Sequence, residues 1–337
     1  MVSQAGVEKF ATGCHTLSLS SITSGYKNTN KSVKSETKRL RIASINVRTL
    51  QEDIKLATII KVTESLGIDA LALQEVRRIG SDCFEFDDES LKGWQFAWSG
   101  YNVKKFHGVA ILLAPSVELE DYKKHLKGRI LSATVVIKGV NITLLNGYAP
   151  TDEAPVSSKQ LFYRSLTKAK VDLEKSAPKF KLVTLGDFNA TISSSSKDSG
   201  AWDSVLGYNN SDKVNTTDNG ERFLAWCLEH QMKIMNSICR SKRIHRGTWC
   251  HPGTKKWKRL DYICTTPWLS KYVRQCRAYA GPSPLFDTDH RLVTLDIDFP
   301  FTKRTLKKEL SWKSCKSKEP KLDYMILCTN PDIFKRN

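Results

Sequence analysis

Polar side chains that suit metal, water and phosphate chemistry stand at the ends of apolar runs in this chain. The clearest example is LVTLGDFNAT, residues 182–191, in which the apolar run stops at Gly186 and Asp187 and Asn189 follow. Strand ends at one edge of a layered sheet fold are where sites are assembled, because the core fixes position and the loops leave access. The residues found in such places are Asn46, Glu75, Tyr148, Asp187, Asn189, Asp261, Asp289 and His290.

These residue types fit metal-assisted attack of water on a phosphate ester. Mg²⁺, or Mn²⁺ in its place, prefers carboxylate oxygens and keeps waters for a substrate phosphate, so Glu75 with Asn46 beside it predicts part of a metal site. Attack on phosphorus needs an oriented water, which Asp187 could bind or deprotonate while Asn189 holds it.

The anionic transition state of such a reaction needs positive charge and hydrogen-bond donors. His290 could supply both if a carboxylate orients it and keeps it protonated, and Asp261 is the candidate partner. Tyr148 could donate a hydrogen bond to a phosphate oxygen or assist the leaving group.

The elements that must position these residues alternate between strands and helices. RIASINV reads as a strand, EDIKLATIIKVTESLG as a helix ending at Gly67, and IDALALQEV as a second strand. Several strands then follow one another, which favours two mixed sheets packed face to face with helices outside, an α+β layered form of the α/β class. The remaining predicted strands are 107–115, 129–139, 141–150, 181–189, 259–266 and 290–299, and the remaining helices are 157–175 and 219–231.

Composition indicates a globular protein with an anionic partner. The 337 residues are 40% hydrophobic and carry a formal net charge of +18, which favours nucleic acid, an anionic membrane surface or an acidic protein. Nine cysteines without paired short spacings argue against a secreted disulfide framework and favour a reducing compartment. No apolar segment approaches the ~20 residues needed to span a bilayer, so we predict no membrane partner.

Changes in composition and apolar periodicity along the chain predict three regions. Residues 1–39 are rich in Ser, Thr and Lys and predict a disordered basic leader. Residues 40–299 form the folded domain, and residues 300–337 form a basic tail. Basic tails together with a nucleic-acid substrate favour an intracellular, nuclear location.

Four motifs in order resemble the endonuclease/exonuclease/phosphatase superfamily: LQE at 73–75, GDFN at 186–189, LDYI at 260–263 and TDH at 288–290. That resemblance implies a four-layer α/β sandwich and a metal-dependent phosphoesterase. It also implies that Glu75 binds the metal with Asn46 beside it, and that Asp289 supports the metal and water region. The words SINVRTL, NGYAPT and TWCHPGTKKWKRLDYI resemble most the apurinic/apyrimidinic-type endonuclease domains of non-LTR retrotransposons and craniofacial development protein 2-like proteins.

A basic segment precedes the LDYI motif and predicts contact with DNA. SKRIHRGTWCHPGTKKWKR, residues 241–259, holds seven Lys and Arg, two Trp and no acidic residue, and it reads as a loop. Cationic side chains would meet backbone phosphates while an indole stacks on or wedges beside bases. The residues predicted to do so are Arg246, Trp249, Lys255, Lys256, Trp257, Lys258 and Arg259.

The sequence therefore predicts a Mg²⁺-dependent DNA endonuclease that nicks one strand and leaves a 3′ hydroxyl. Two alternatives stay open: a phosphatase of the same fold acting on inositol phosphates, and a catalytically inactive nucleic-acid-binding remnant. The ending TNPDIFKRN resembles the start of a connector to a reverse transcriptase, which implies a truncated, retrotransposon-derived copy.

Overall fold

The structure is a computed structural model and describes residues 37–176, 181–193, 200, 202–207 and 215–300. The predicted leader, apart from its last three residues, and the predicted tail, apart from Pro300, lie outside the described residues. Within the described part of the chain, every helix is too short or too polar to cross a membrane.

A seven-stranded mixed sheet contains the first five strands of the domain and its last two. Among the described strands of this sheet, the only parallel pair is β1 (Thr37–Asn46) with β2 (Ala70–Gln74). All other neighbouring strands run antiparallel. The apolar run of IDALALQEV becomes a strand buried along its whole length, as expected at the centre of a covered sheet. In spatial order the strands are β14 (Val273–Tyr279), β15 (Leu292–Pro300), β1 (Thr37–Asn46), β2 (Ala70–Gln74), β5 (Val109–Leu113), β4 (Gln95–Ser99) and β3 (Ser81–Glu85).

A six-stranded mixed sheet has the same plan. A central parallel pair, β8 with β9, is flanked by antiparallel neighbours. In spatial order the strands are β10 (Lys233–Ile234), β13 (Asp261–Thr265), β9 (Leu182–Asp187), β8 (Val140–Tyr148), β7 (Ile130–Ile137) and β6 (Val117–Leu126).

The two sheets pack face to face. Ile42, Val109, Leu144 and Leu185 are fully buried members of one cluster that both sheets supply. A second cluster covers the outer face of the six-stranded sheet. The predicted α/β sandwich, two packed mixed sheets flanked by helices, is confirmed. The helices are α1 (Asp53–Ser65), α2 (Val156–Ser176), α3 (Asp218–Glu229), α4 (Met235–Ile238), α5 (Pro267–Ser270) and α6 (Pro282–Leu285).

Some strands differ from the sequence prediction. The polar stretch VELEDYKKHL forms β6, an edge strand whose side chains are mostly exposed, so it lacks the apolar alternation that marks a strand. The basic segment expected to be a loop contains a short hairpin, β11 (Trp249–Cys250) with β12 (Trp257–Lys258). We call this the basic hairpin. Strands β3, β4 and β14 were also not predicted.

Gly186 allows β8 and β9 to approach each other just before the GDFN turn. Its φ is 147°, and a Cβ at this position would lie 1.9 Å from the carbonyl oxygen of Gly147. Only glycine fits so close a contact. The residue that ends the apolar run therefore sets the position of Asp187 relative to the neighbouring strand.

Candidate active site

The ends of the central strands of both sheets meet at one edge of the sandwich, where a cavity of about 460 Å³ opens. Each central parallel pair brings two carboxyl strand ends together there, which explains why residues so far apart in sequence converge. Asn46 and Asp261 lie buried beneath the cavity. The other six predicted site residues line it: Glu75, Tyr148, Asp187, Asn189, Asp289 and His290.

Three hydrogen bonds between predicted site residues cross from one sheet to the other at this edge. The Asn46 amide nitrogen donates to Asp187 Oδ2 over 3.0 Å. The Tyr148 hydroxyl donates to Glu75 Oε1 over 2.8 Å. The third bond joins the His290 ring to Asp261. In each pair one residue belongs to the seven-stranded sheet or its flanking turns and the other to the six-stranded sheet, so the site is shared between them.

Glu75 is held by donors on both carboxylate oxygens. Oε1 accepts from Asn46 over 3.0 Å and from Tyr148, while Oε2 accepts from Arg77 over 2.7 Å. Burial raises the pKa of the carboxyl, but the bonds from Asn46, Arg77 and Tyr148 outweigh burial and lower it below its usual value. Glu75 is therefore a persistent anion. Burial, with the nearby Glu75 charge, raises the pKa of Tyr148, which keeps its proton and remains a donor.

The Asp187 carboxyl has a pKa near neutral pH. Burial, together with the charge of Asp261, raises its pKa to about 7, against the opposing effects of His290 and Asn46. A carboxyl with such a pKa can both accept and release a proton near pH 7.

His290 is a buried cation. Its Nδ1–H donates to the Asp261 carboxylate, with N···O distances of 2.9 and 3.2 Å, and its Nε2 lies 3.9 Å from Asp187 Oδ2. Burial lowers the pKa of the ring, but the charge and hydrogen bond of Asp261 outweigh burial and raise it to about 9. The Asp261 partner thus keeps the ring charged and oriented.

The two remaining predicted residues, Asn189 and Asp289, are held by different parts of the chain. Asn189 has a φ of 46°, and its side-chain amide donates to the Ala149 carbonyl over 2.9 Å. Asp289 Oδ2 accepts from the Trp249 indole N–H over 3.1 Å, and its Oδ1 lies 3.9 Å from Arg48 Nε. The orientation of Asp289 therefore depends on the basic hairpin.

Several cations around the cavity were not predicted. Arg48 and Arg77 line it. Arg129 stacks on the Tyr148 ring at 4.7 Å and donates to His107 Nε2 over 2.9 Å. Burial, and then the charge of Arg129, lower the pKa of His107 to about 4, so this ring stays neutral. The position of Arg77, two residues after Glu75 in LQEVRR, was the one sequence signal for this group.

Thr288 of the TDH motif connects the motif to β1. Its hydroxyl donates to the Asn46 carbonyl oxygen over 2.7 Å and accepts from the His290 N–H over 3.2 Å. A hydroxyl is needed for both bonds, and Thr288 supplies it.

The basic hairpin presents two different faces. Residues paired across antiparallel strands share a face, and the pairs are Trp249 with Lys258 and Cys250 with Trp257. Trp249 and Lys258 line the cavity. Trp257 therefore points to the other face, where the Arg291 guanidinium stacks on its ring at 3.4 Å.

The predicted DNA-binding set thus divides by location. Lys255 and Lys256 are exposed at the turn of the hairpin, and Arg246 is partly exposed. Arg259 differs from the prediction: it is 1% exposed, and its Nε donates to the Arg246 carbonyl oxygen over 3.2 Å. Its guanidinium supports the turn from within and is not presented to a ligand.

The donor set fits a hard divalent cation. The carboxylate oxygens of Glu75, Asp187 and Asp289 face the cavity, and such oxygens suit Mg²⁺ or Mn²⁺. The nearby atoms of Asp187, Asp261 and His290 also lie within 4.8 Å of one another. Because His290 Nδ1 and Asp261 already bind each other, we assign that second group to hydrogen bonding. Asn46 bridges two carboxylates through its nitrogen, while its oxygen accepts from the Arg48 N–H.

Comparisons with known proteins support the architecture. No protein-family model matches the chain. Over 255 residues, 75% of the chain, it is 26% identical to craniofacial development protein 2 of Bos taurus, and it spans 40% of that protein's length. The chain thus spans about two fifths of the length of the curated relatives it matches.

Two solved structures share the architecture. A 3′ phosphatase from Neisseria, bound to a product DNA hairpin, matches with a TM-score of 0.58 at 20% identity, covering 77% of this chain and 100% of that one. The endonuclease domain of TRAS1, a telomere-specific non-LTR retrotransposon, matches with a TM-score of 0.53 at 15% identity, covering 77% and 98%. The chain therefore has the fold of the endonuclease/exonuclease/phosphatase superfamily, as its motifs predicted.

Proposed function

We propose that this protein is a Mg²⁺-dependent DNA endonuclease that hydrolyses one phosphodiester bond of a duplex and leaves a 3′ hydroxyl. The observation that carries the proposal is the arrangement of a persistent anion, Glu75, a carboxyl with a pKa of about 7, Asp187, and a buried cation, His290, at one cavity. Phosphodiester hydrolysis needs these three properties together: a metal ligand, a proton acceptor and a stabiliser of anionic charge.

Each residue then has a defined task. Glu75 and Asp289 would hold the ion, which would supply positive charge against the substrate phosphate. Asp187 takes a proton from the attacking water, which Asn189 helps to position, as the water oxygen bonds to phosphorus. The bond from phosphorus to the 3′ oxygen breaks, and the leaving 3′ oxygen takes a proton from solvent. His290, kept charged by Asp261, donates to a non-bridging oxygen as charge accumulates there. The products are a 3′ hydroxyl and a 5′ phosphate.

Tyr148 has a positioning task and a binding task. Its hydroxyl donates to Glu75, and its ring packs under Arg129, which holds the strand end in place. When a phosphate enters, the same hydroxyl can turn from Glu75 and donate to a phosphate oxygen.

DNA is the substrate class that the surroundings support. The basic hairpin flanks the cavity with Lys258 and Trp249, and its turn adds Lys255 and Lys256. No acidic residue occurs between Glu229 and Asp261, so a polyanion meets little repulsion there. Similarity to the retrotransposon endonuclease domain and to craniofacial development protein 2 supports an origin from a retrotransposon.

The test is nicking of supercoiled plasmid with Mg²⁺ and with EDTA. Glu75→Gln and His290→Asn should each abolish conversion to open circles, whereas the exposed control Glu64→Gln should leave it unchanged. Extension of the nicks by a DNA polymerase without prior end treatment should succeed, because polymerases require a 3′ hydroxyl.

Three results would overturn the proposal. Nicking that persists in EDTA would exclude the metal role. A folded protein that shifts DNA in a gel without cutting it would favour the inactive binding remnant. Phosphate release from inositol phosphates without DNA cleavage would favour the phosphatase.

A further inference from the structure

A second polar pocket opens at the same edge of the sandwich as the cavity. Its volume is about 340 Å³, and it is lined by Ser81, Ser99, Asn102, Lys124 and Lys127. We call it the lysine pocket. The pocket offers two lysine ammonium groups together with hydroxyl and amide donors, and none of its lining residues is acidic. Such a lining favours binding of an anion.

The strand register locates this pocket relative to the cavity. Gln74, next to Glu75, pairs with Val109, Val109 pairs with Ser99, and Ser99 pairs with Ser81, so these residues lie on one line across the sheet. Neighbouring strands are about 4.8 Å apart, which places Ser99 about 10 Å and Ser81 about 14 Å from Gln74. The lysine pocket is therefore a near neighbour of the catalytic carboxylates.

The surface between the two openings carries positive charge. The segment 100–108 joins β4 to β5 and exposes Lys104 and Lys105, and it ends next to His107, which contacts Arg129. No acidic residue occurs between Glu89 and Glu118 or between Asp121 and Asp152. Asp82 follows Ser81 on β3, but successive strand residues point to opposite faces of a sheet. Asp82 therefore lies on the face opposite to Ser81.

Hydrogen bonds fix the frame of the pocket. Ser99 is fully buried, and its hydroxyl accepts from the Gly128 N–H over 3.3 Å. The Gly128 carbonyl accepts from the Gly108 N–H over 3.0 Å. At Gly128 the φ is 65°, and a Cβ would lie 2.7 Å from the Tyr101 ring. These contacts hold the turn between β6 and β7, residues 127–129, against the end of β4.

We propose that the lysine pocket binds a backbone phosphate of the DNA substrate on one side of the cut. A strand rises about 3.4 Å per nucleotide along the helix axis, so a phosphate about 10–14 Å away lies within about four nucleotides of the scissile phosphate. Lysine ammonium groups, hydroxyls and amides are the usual phosphate donors in DNA complexes. This inference rests on the proposed endonuclease function for the position of the cut, and on charge and geometry alone for DNA binding.

The first experiment measures binding without cleavage. A fluorescent duplex is titrated in EDTA at several salt concentrations with wild type, with Lys124→Ala/Lys127→Ala, and with the control Lys61→Ala/Lys92→Ala. The control removes the same charge from α1 and from the turn before the opposite end of β4. One contacted phosphate contributes about 0.9 to the slope of log K against log salt. We expect the slope of the pocket variant to fall by about 1 to 2, and that of the control to stay unchanged.

The second experiment locates the phosphate. Single methylphosphonate linkages, which remove one backbone charge, are placed at each position up to six nucleotides from the cut on both strands. One of them, within about four nucleotides of the cut, should raise KM in the wild type about 5-fold or more and have no further effect in the pocket variant.

The outcomes separate the two proposals. Equal slopes for the pocket variant, the control and wild type would overturn the lysine pocket, whether or not the protein cuts DNA. A reduced slope in a protein that never cuts DNA would support the pocket and overturn the endonuclease. Methylphosphonate effects that are identical in wild type and pocket variant would exclude the assigned position. Equal thermal melting of all three proteins is the folding control.

Discussion

Replacing Asp261 by Asn should remove the charge that keeps His290 protonated. Asp261 is fully buried and bonds His290 Nδ1 at 2.9 Å, and its backbone N–H and carbonyl are bonded to Thr248 and Asn236. The amide has nearly the same size as the carboxyl, so the backbone contacts remain. The change therefore removes the charge of this one group, which acts on the pKa of Asp187 as well as on that of His290.

The expected magnitude follows from the pKa of His290. Asp261 supplies the largest effects that raise this pKa to about 9 from the ordinary 6.5, against burial, which lowers it. Without Asp261 the pKa should fall to 6.5 or below, a change of about 2.5 units, or about 3 kcal/mol. At pH 7.5 the protonated fraction would then drop from about 97% to about 9% or less, and nicking should slow about 10-fold or more.

Two assays test this prediction. In metal-free protein, NMR titration of the His290 imidazole should show a midpoint near 9 in the wild type and at or below 6.5 in Asp261→Asn. In the presence of Mg²⁺, the alkaline limb of the nicking rate should move to lower pH in the variant. The exposed substitution Asp121→Asn is the charge control and should change neither.

An unchanged titration midpoint for His290 in a folded Asp261→Asn protein would refute the electrostatic reasoning. A shifted midpoint with an unchanged nicking rate at pH 7.5 would refute the role of the charged imidazole in catalysis.

Three further changes can be predicted. Gly186→Ala should destabilise the fold by about 3 kcal/mol or more in urea denaturation, because a Cβ there would lie 1.9 Å from the Gly147 carbonyl oxygen; a loss below about 1 kcal/mol would contradict the close approach. His107 should stay neutral in an NMR titration from pH 8 down to 5, because its pKa is about 4. The free energy of unfolding should decrease as the pH falls from about 6.5 to 4, because in that range the unfolded chain binds a proton at this ring and the folded chain does not. A titration midpoint near 6.5 would contradict the Arg129 contact. Trp249→Phe, which removes the N–H donated to Asp289, should lower kcat about 10-fold, whereas Trp257→Phe on the opposite face of the basic hairpin should leave kcat unchanged; equal effects would contradict the assignment of faces.

The sequence predicted those parts of the fold in which local pattern and burial agree. The apolar runs of β2 and β9 are fully buried strands, and the polar residues at their ends face one cavity. Edge strand β6 was not predicted because its side chains are mainly polar and exposed.

Long-range contacts explain what the sequence could not predict at the site. His107 and Arg129 acquire their roles only by meeting each other and Tyr148 in space. Arg259 was grouped with its cationic neighbours by composition, and composition does not reveal that one guanidinium turns inward to a carbonyl.

Three of the hydrogen bonds between the sheets join predicted site residues, so the catalytic geometry depends on how the two sheets are aligned. Asn46 with Asp187, Tyr148 with Glu75, and His290 with Asp261 each span the interface, so a sliding of one sheet over the other changes all three distances together. The interface beneath is filled by close-packed side chains such as Leu144 and Ile42. Because close-packed interiors are hardly compressible, a shift of one side chain displaces its neighbours. Substitutions deep in that interface, far from any substrate, would therefore impair the reaction while the protein remains folded.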